Sequence, residues 1–471
     1  MDVRILQNGP AERTDLHSSI DEAGALGVSA DLPNGPDLVS RRPLTIRDYK
    51  TLVLAALGGA LEFYDFIIFI FFAQAVGQLF FPAEIPDWLR QFQTLSIFAV
   101  GYFVRPLGGI LIAHFGDLLG RKRMFLIGIV LMTVATLAMG LLPTYREIGA
   151  LAPTLLLLLR ILQGAAVGGE VPGAWVFVAE HVPANRVGFA CGTLTAGLTV
   201  GILLGSTMAT TVNSLFTPAE ILAWAWRLPF VFGGALGLGA VCLRRLLHET
   251  PVFEEIRRRK ALAEELPLKA VLRDHRGAVI VSMLLTWLLS AAIVVVILMT
   301  PQLLQKQGVP LTTGLKANNV ATLCLIAGNI IWGTIIDRIG PGRFFAVGCG
   351  LLGASIWLFY TQSATVPSLL LPLYALTGLF VGIVGGVPYA MVCAFPGRIR
   401  FSGVSFSYNV AYAIFGGLTP LFISLLLPSL PLVHLYYLLA LCALGSAVGL
   451  GLWRAERRKQ KKDSLLARVK G

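Results

Sequence analysis

The sequence predicts an all-α integral membrane protein, with twelve transmembrane helices in two pseudo-symmetric six-helix bundles. Three observations support this fold class. The 471 residues are 56% hydrophobic and only 14% charged, which leaves too few charges to solvate the surface of soluble domains. Twelve stretches are apolar over about the 20 residues that a bilayer-spanning helix needs. Sequence features of the first six stretches also recur in the last six, which indicates an internal duplication.

The elements follow in chain order. Residues 1–48 are polar, lack the apolar core of a signal peptide, and are predicted to form a disordered cytoplasmic tail. The first bundle covers 49–247, a charged cytoplasmic linker covers 248–276, the second bundle covers 277–453, and a basic cytoplasmic tail covers 454–471. The predicted spans, numbered 1 to 12, are 51–80, 91–113, 123–142, 150–178, 188–212, 224–247, 277–304, 317–336, 343–362, 367–393, 401–427 and 431–453.

The charge pattern predicts the orientation in the membrane. Lys and Arg concentrate in one alternating set of connections, with clusters at 121–123 and 257–260 and in the C-terminal tail. Such residues stay on the cytoplasmic side, so both termini are expected in the cytoplasm of a cell with this protein in its inner (plasma) membrane. This pattern explains the net charge of +12 without nucleic acid as a partner. The six cysteines form no CxxC pair, which disfavours a metal site.

Two features of the first bundle recur about 215–220 residues later. The loop after the second span of each bundle holds an Asp, a Gly three residues later and basic neighbours. These residues are Asp117, Gly120, Arg121 and Lys122 in the first copy and Asp337, Arg338 and Gly340 in the second. A pair of glycines followed by proline closes span 4 and recurs in span 10. The two bundles therefore read as parallel copies of one unit.

The twelve spans and the repeated loop resemble the major facilitator superfamily. More specific segments resemble its metabolite:proton symporter family, from about residue 50 to 453. They include Glu62-Phe-Tyr64-Asp65-Phe66, Arg105-Pro106-Leu-Gly108-Gly109, Arg160-Ile-Leu-Gln163-Gly164, Gly168-Gly169-Glu170 and Tyr408-Asn409. Leu118 and Ala113 depart from the usual loop pattern of the superfamily.

Charged residues at membrane depth are costly, so they are candidate functional groups. All of them lie in the first bundle: Glu62, Asp65, Arg105, Arg160 and Glu170. Glu62 and Asp65 are three residues apart and share a helix face. Two such carboxylates do not both ionise cheaply, so at least one is a candidate proton carrier, with Asp65 favoured. Alternatively, both acids pair with arginines to hold spans together.

The other buried charges also have two interpretations. Arg105, among small residues, can bind a substrate carboxylate in bidentate fashion, or form a salt bridge with an acid of span 1. Arg160 and Gln163 form a polar stripe that, by resemblance, takes part in coupling, or clamps to Glu62 or Glu170. Glu170 follows two glycines and is a candidate for protonation or gating.

Further candidates lie in span 1, in the second bundle and in the loops. Tyr64 is a candidate substrate-binding residue, and Tyr408 and Asn409 are candidates for the opposite wall of the cavity. The carboxylate of the repeated loop can cap a neighbouring helix N-terminus. By resemblance, Asp117, Gly120, Arg121, Lys122, Asp337 and Arg338 form a gating loop that closes one face.

The resemblance implies a secondary transporter, not an enzyme, that functions as a monomer and couples uptake of a small organic solute to protons by alternating access. Its partners are that solute and the lipid bilayer, and it needs no cofactor besides the proton. We expect a carboxylate metabolite, because two arginines can bind anionic groups. The alternatives are a zwitterionic osmolyte such as betaine or proline, proton-driven efflux of drugs or metabolites, and a solute sensor. By resemblance, efflux is disfavoured, because antiporters of this superfamily carry a glycine-proline signature in span 5, and this sequence has no proline between 188 and 212.

Overall fold

The computed structural model describes residues 42–111, 121–245, 267–363, 366–397 and 399–470. Ten helical segments of these residues are long and apolar enough to cross a membrane, and two further helices complete two sets of six. The twelve spans are Asp48–Phe71, Asp87–Leu111, Arg121–Leu141, Leu151–His181, Ala184–Leu215, Leu228–Arg245, Arg276–Lys306, Leu311–Ile339, Pro341–Gln362, Pro367–Ala394, Arg400–Leu426 and Val433–Lys461. The predicted fold class is confirmed.

Helix packing repeats from one half of the chain to the other. In the first half, span 1 packs on span 5, span 2 on span 4, and span 3 on span 6. The second half repeats these pairs as spans 7 and 11, 8 and 10, and 9 and 12. Between the halves, span 5 packs on span 8 and span 11 packs on span 2. The duplication relates these two contacts to each other, because spans 5 and 2 correspond to spans 11 and 8. The arrangement is the parallel duplication that the sequence predicts.

Side-chain caps fix where several helices begin. The helix of span 1 starts after Thr45, whose hydroxyl accepts the Asp48 amide while the Asp48 carboxylate accepts the Thr45 amide. The same capping box joins Thr144 to Glu147 in a short helix between spans 3 and 4. There the Thr144 amide and hydroxyl hold the pKa of Glu147 below its usual value.

Glycines break the helices of two spans at matching places. Span 4 consists of Leu151–Val167 and Glu170–His181, which are separated by Gly168 and Gly169. In span 10 the segment Gly382–Gly386 is 3₁₀-helical. A break at membrane depth frees backbone carbonyls, which then need partners from other helices. The predicted first span, 51–80, also differs: its helix ends at Phe71, and a short helix follows at Ala73–Phe80.

One end of the bundle is named the basic end here, because Arg186, Arg338 and Arg343 lie there. At this end spans 5 and 8 touch backbone to backbone at Gly188 and Gly333. A Cβ atom on either glycine would lie only 2.5 Å from the carbonyl oxygen of the other, so larger residues would push the spans apart.

The last helix continues past the bilayer-length segment and runs from Val433 to Lys470. At the basic end, Glu456 of this helix accepts a hydrogen bond from the Gly342 amide at 3.1 Å. The carboxylate lies at the first turn of span 9, where exposed backbone amides favour negative charge. The basic C-terminal segment is thereby tied to the bundle at one point.

Candidate functional site

Asp65 is buried inside the first bundle, with 3% of its surface exposed. Its Oδ1 atom has no hydrogen-bond partner among the described residues, and the side chain approaches Thr136 of span 3. A Cβ on Gly233 of span 6 would come within 2.5 Å of Oδ1, so this glycine leaves room for the carboxyl group. Among the described residues, no charged side chain forms a salt bridge with this carboxyl group.

A chain of polar side chains connects Asp65 with Arg160. The Gln163 amide nitrogen donates to the Thr136 hydroxyl at 2.7 Å and lies 3.5 Å from the Asp65 carbonyl oxygen. The Gln163 amide oxygen accepts from Arg160 at 2.8 Å, and the same Arg160 nitrogen donates to the Phe66 carbonyl at 3.2 Å. The predicted stripe therefore faces span 1. Among the described residues, Arg160 has no carboxylate partner.

Arg105 of span 2 is 1% exposed and lies between the two halves. Its guanidinium carbon is 4.5 Å from the centroid of Phe66, 4.6 Å from that of Tyr102 and 5.4 Å from that of Tyr412. Within the described residues none of its three side-chain nitrogens makes a hydrogen bond, although the Tyr408 side chain approaches the group. Among the described residues no carboxylate pairs with Arg105, so the alternative of a salt bridge with a span-1 acid is not seen for Asp65, and the side chain of Glu62 is not described. Arg105 is therefore a buried cation that aromatic faces solvate.

Tyr64 and Asn409 both use their polar groups on backbone carbonyls. Tyr64 is fully buried and donates to the Pro229 carbonyl at 2.8 Å, which ties span 1 to span 6. Asn409 of span 11 donates to the Gly168 carbonyl at 2.6 Å. It thereby satisfies a carbonyl at the break in span 4 and joins the two halves.

Tyr408, next to Asn409 in span 11, packs its ring edge-to-face on Trp175 of span 4, with 4.9 Å between centroids. It also contacts Tyr412 at 4.8 Å. The two span-11 residues predicted to line the opposite wall thus face the first bundle, close to Arg105.

Glu170 is buried at the start of the second helix of span 4. It lines a small cavity of about 10 Å³ between spans 1, 4 and 5, large enough for about one water molecule. The cavity is also lined by Ala55, Gly59, Val171, Ala174, Leu194 and Leu198. Gln163 lies beside Asp65, and Glu170 follows Gln163 by seven positions along a span that runs toward the basic end. Glu170 is therefore closer to that end than Asp65 is.

Asp337 in the second loop copy caps span 5. Its two carboxylate oxygens accept the Gly188 amide at 2.7 Å and the Phe189 amide at 2.8 Å. This contact joins the halves at the basic end and uses the negative charge at a helix N-terminus. The neighbouring Arg338 is exposed.

Several predicted site residues lie outside the described part of the chain. Asp117 and Gly120 fall in the undescribed range 112–120. The structure describes the backbone but not the side chains at Glu62, Arg121 and Lys122.

An ion pair that the sequence did not single out also joins the halves at the basic end. Arg400 of span 11 contacts Glu180 of span 4 at 2.9 Å, and the two side chains are 7% and 24% exposed. The sequence signal for a structural role of Arg400 is its place after Phe395-Pro396, parallel to Arg186 after Pro183.

Three further cross-half hydrogen bonds follow the contact of spans 5 and 8. Each joins a hydroxyl of span 5 to an amide side chain of span 8. The pairs are Thr199 with Asn329 at 3.0 Å, Ser206 with Asn318 at 2.9 Å, and Thr210 with Asn319 at 3.1 Å. Single Asn and Thr residues in apolar spans gave no sequence signal of this pairing.

This geometry defines a secondary transporter with two halves around a central polar site, and the comparisons with known proteins agree. The family model "Sugar (and other) transporter" matches residues 51–277. The glycine betaine/proline/ectoine/pipecolic acid transporter OusA of Dickeya dadantii is 31% identical, over 85% of this chain and 82% of its own. The proline/betaine transporter of Escherichia coli K12 is 29% identical, over 89% and 88% of the two chains.

Among solved structures, the proton:xylose symporter XylE is similar in fold, with a TM-score of 0.68 at 18% identity. The match covers 87% of this chain and 96% of that one, and XylE comes from E. coli. The chain belongs to the major facilitator superfamily, in its metabolite:proton symporter family. It is a membrane transporter and not an enzyme.

Proposed function

We propose that this transporter imports a zwitterionic osmolyte of the proline or betaine class together with protons. The described activities of the relatives from Dickeya dadantii and E. coli support a zwitterion over the carboxylate metabolite that the sequence favoured. A zwitterion still carries a carboxylate, so the arginine argument applies to it as well.

The observation that carries the proposal is that Arg105 is buried and that its side-chain nitrogens make no hydrogen bond within the described residues. A buried guanidinium without a counter-ion is costly, and it gains most from an anion that can reach it. Arg105 lies between the halves, among rings of spans 1, 2 and 11. A carboxylate that enters between the halves can therefore meet a guanidinium whose nitrogens make no hydrogen bond within the described residues, and bind it in bidentate fashion.

Proton coupling is assigned to Asp65. Its carboxyl group is buried, one of its oxygens has no hydrogen-bond partner in the described part of the chain, and it adjoins the Thr136–Gln163–Arg160 chain. Changes at Arg160 can therefore reach Asp65 through two side chains. Glu170, nearer the basic end, is the second proton site in this proposal.

In this proposal the transporter acts as a monomer in the inner membrane, with both termini in the cytoplasm. The concentration of Lys and Arg at the basic end supports this orientation. In this arrangement the Asp337 cap and the Arg400–Glu180 pair lie at the cytoplasmic side.

The test is uptake of labelled proline and glycine betaine into proteoliposomes, with and without an inward-directed acid gradient. Accumulation that requires the gradient is the expected result. A panel of mono-, di- and tricarboxylates in the same assay tests the second candidate. Uptake of carboxylates alone, or export of cationic drugs, would overturn the proposal.

A further inference from the structure

Three aromatic rings surround the guanidinium group of Arg105. Phe66, Tyr102 and Tyr412 come from three different spans and hold the guanidinium within 4.5–5.4 Å of their centroids. This is the range in which the negative face of a ring attracts a cation, and aromatic cages of this kind recognise quaternary ammonium groups. These three residues are called the aromatic cage below.

The cage is occupied by a group of the protein itself. Arg105 is almost fully buried, and its N–H groups make no hydrogen bonds within the described residues. The rings therefore stabilise this cation, while its N–H groups remain available to donate hydrogen bonds. In a ligand with both an anionic and a cationic group, the anion can bind the Arg105 N–H groups and the cation can bind the aromatic cage.

We propose that the aromatic cage is the ammonium subsite of the substrate, and that Arg105 leaves it when the substrate carboxylate binds. The inference rests on the proposed function, because it needs a zwitterionic substrate. The carboxylate draws the guanidinium from the rings into a bidentate pair, and the substrate ammonium takes its place over the rings. The zwitterion has no net charge, so its binding leaves the net charge of the buried site unchanged.

The cage is completed only where the two halves meet. Tyr102 belongs to the first bundle and Tyr412 to the second, and their rings stack with 5.4 Å between centroids and 25° between planes. Tyr412 begins a π-helical segment, Tyr412–Gly416, and such segments are frequent at functional sites. An ammonium group held by both rings favours the state in which spans 2 and 11 are together.

The proposal predicts which substrates are preferred. A quaternary ammonium gives up no N–H bonds to water when it enters an aromatic cage, whereas a secondary ammonium gives up two. Glycine betaine should therefore bind at least as tightly as proline. A carboxylate with the same shape but no positive charge should bind much more weakly.

The experiment uses the intact transporter in proteoliposomes. Uptake of labelled proline is measured in competition with glycine betaine and with 3,3-dimethylbutanoate, in which carbon replaces the ammonium nitrogen. Both competitors carry an ionised carboxylate at neutral pH and have nearly the same shape. We expect glycine betaine to inhibit at concentrations roughly 10-fold or more below those of the carbon analogue.

Variants then test whether the Tyr412 ring causes the preference for glycine betaine over the carbon analogue. Tyr412→Leu should reduce the ratio between the two competitors to about 1, whereas Tyr412→Phe keeps the ring face and should preserve it. Tyr436→Leu, at a tyrosine that is 61% exposed at the start of span 12, is the matched control. Equal inhibition of the unmodified protein by both competitors would overturn the proposal that the aromatic cage is the ammonium subsite. The proposed function would still stand in that case, because proline uptake is present. A preference that persists in Tyr412→Leu would also overturn the aromatic cage as the ammonium subsite. Absence of proline and betaine uptake would instead overturn the proposed function.

Discussion

Arg105 and Arg160, on spans 2 and 4, each place their guanidinium carbon 4.5 Å from the centroid of the Phe66 ring. One ring therefore touches both the cation between the halves and the cation of the polar chain that leads to Asp65. Phe66 is also the residue that follows Asp65 in span 1. A displacement of Arg105 changes the surroundings of the Phe66 ring, and so acts on the residue next to the proposed proton carrier.

Asp65→Asn should abolish accumulation driven by an acid gradient while preserving exchange of substrate across the membrane. The amide cannot carry a proton, but it fills the space beside Gly233 with a similar shape. Gradient-driven uptake and counterflow in proteoliposomes measure the two activities. Glu84→Gln, at an exposed acid, is the control and should retain both. Accumulation that persists in Asp65→Asn would show that another group carries the proton.

Arg105→Lys should raise KM at least about 10-fold, because an ammonium point charge lacks the planar bidentate fork and its ring stacking. Saturation curves of uptake give KM and the maximal rate separately. Arg276→Lys changes an exposed arginine at the start of span 7 and should leave KM unchanged. An unaltered KM in Arg105→Lys would remove Arg105 from the substrate site.

Gln163→Leu should lower the free energy of unfolding by about 1–3 kcal/mol, because it leaves the buried partners of Gln163 unsatisfied. These partners are Arg160 and Thr136, at 2.8 and 2.7 Å. Thermal or denaturant unfolding in detergent measures the change. Gln305→Leu, at an exposed glutamine, should change stability by no more than about 0.5 kcal/mol. A Gln163→Leu protein as stable as the original would mean that the chain contributes no net stability.

Breaking the Arg400–Glu180 pair should favour opening at the basic end. The pair is mostly buried, and removal of one partner leaves the other charge uncompensated. Cys393 of span 10 is a half-buried free cysteine that follows Val392, whose carbonyl oxygen accepts a hydrogen bond from Arg400. Arg400→Ala or Glu180→Ala should increase the rate at which maleimide modifies Cys393, measured with the other cysteines replaced. The charge-swapped double variant Glu180→Arg/Arg400→Glu should restore protection. Equal rates in the single and swapped variants would exclude a specific pairing.

The twelve spans were predictable because bilayer thickness sets helix length, and the break at Gly168 and Gly169 followed from local sequence. The partners of buried groups were not predictable in the same way. Arg160 finds Gln163 and a backbone carbonyl where a carboxylate was equally possible from spacing. Contacts such as Tyr102 with Tyr412 join residues far apart in sequence, and they depend on how two complete bundles pack.

Two of the contacts between the halves, that of spans 5 and 8 and that of spans 2 and 11, differ in how they resist separation. Spans 5 and 8 share three side-chain hydrogen bonds, and the Asp337 cap lies at their end. Without water to replace them, each bond broken within the bilayer is an enthalpic cost. The stacked Tyr102 and Tyr412 rings of spans 2 and 11 can slide apart with a gradual loss of contact. If the two halves rotate about the rigid contact of spans 5 and 8, the largest displacement occurs at the contact of spans 2 and 11. A modest rotation therefore opens the widest passage for the solute there.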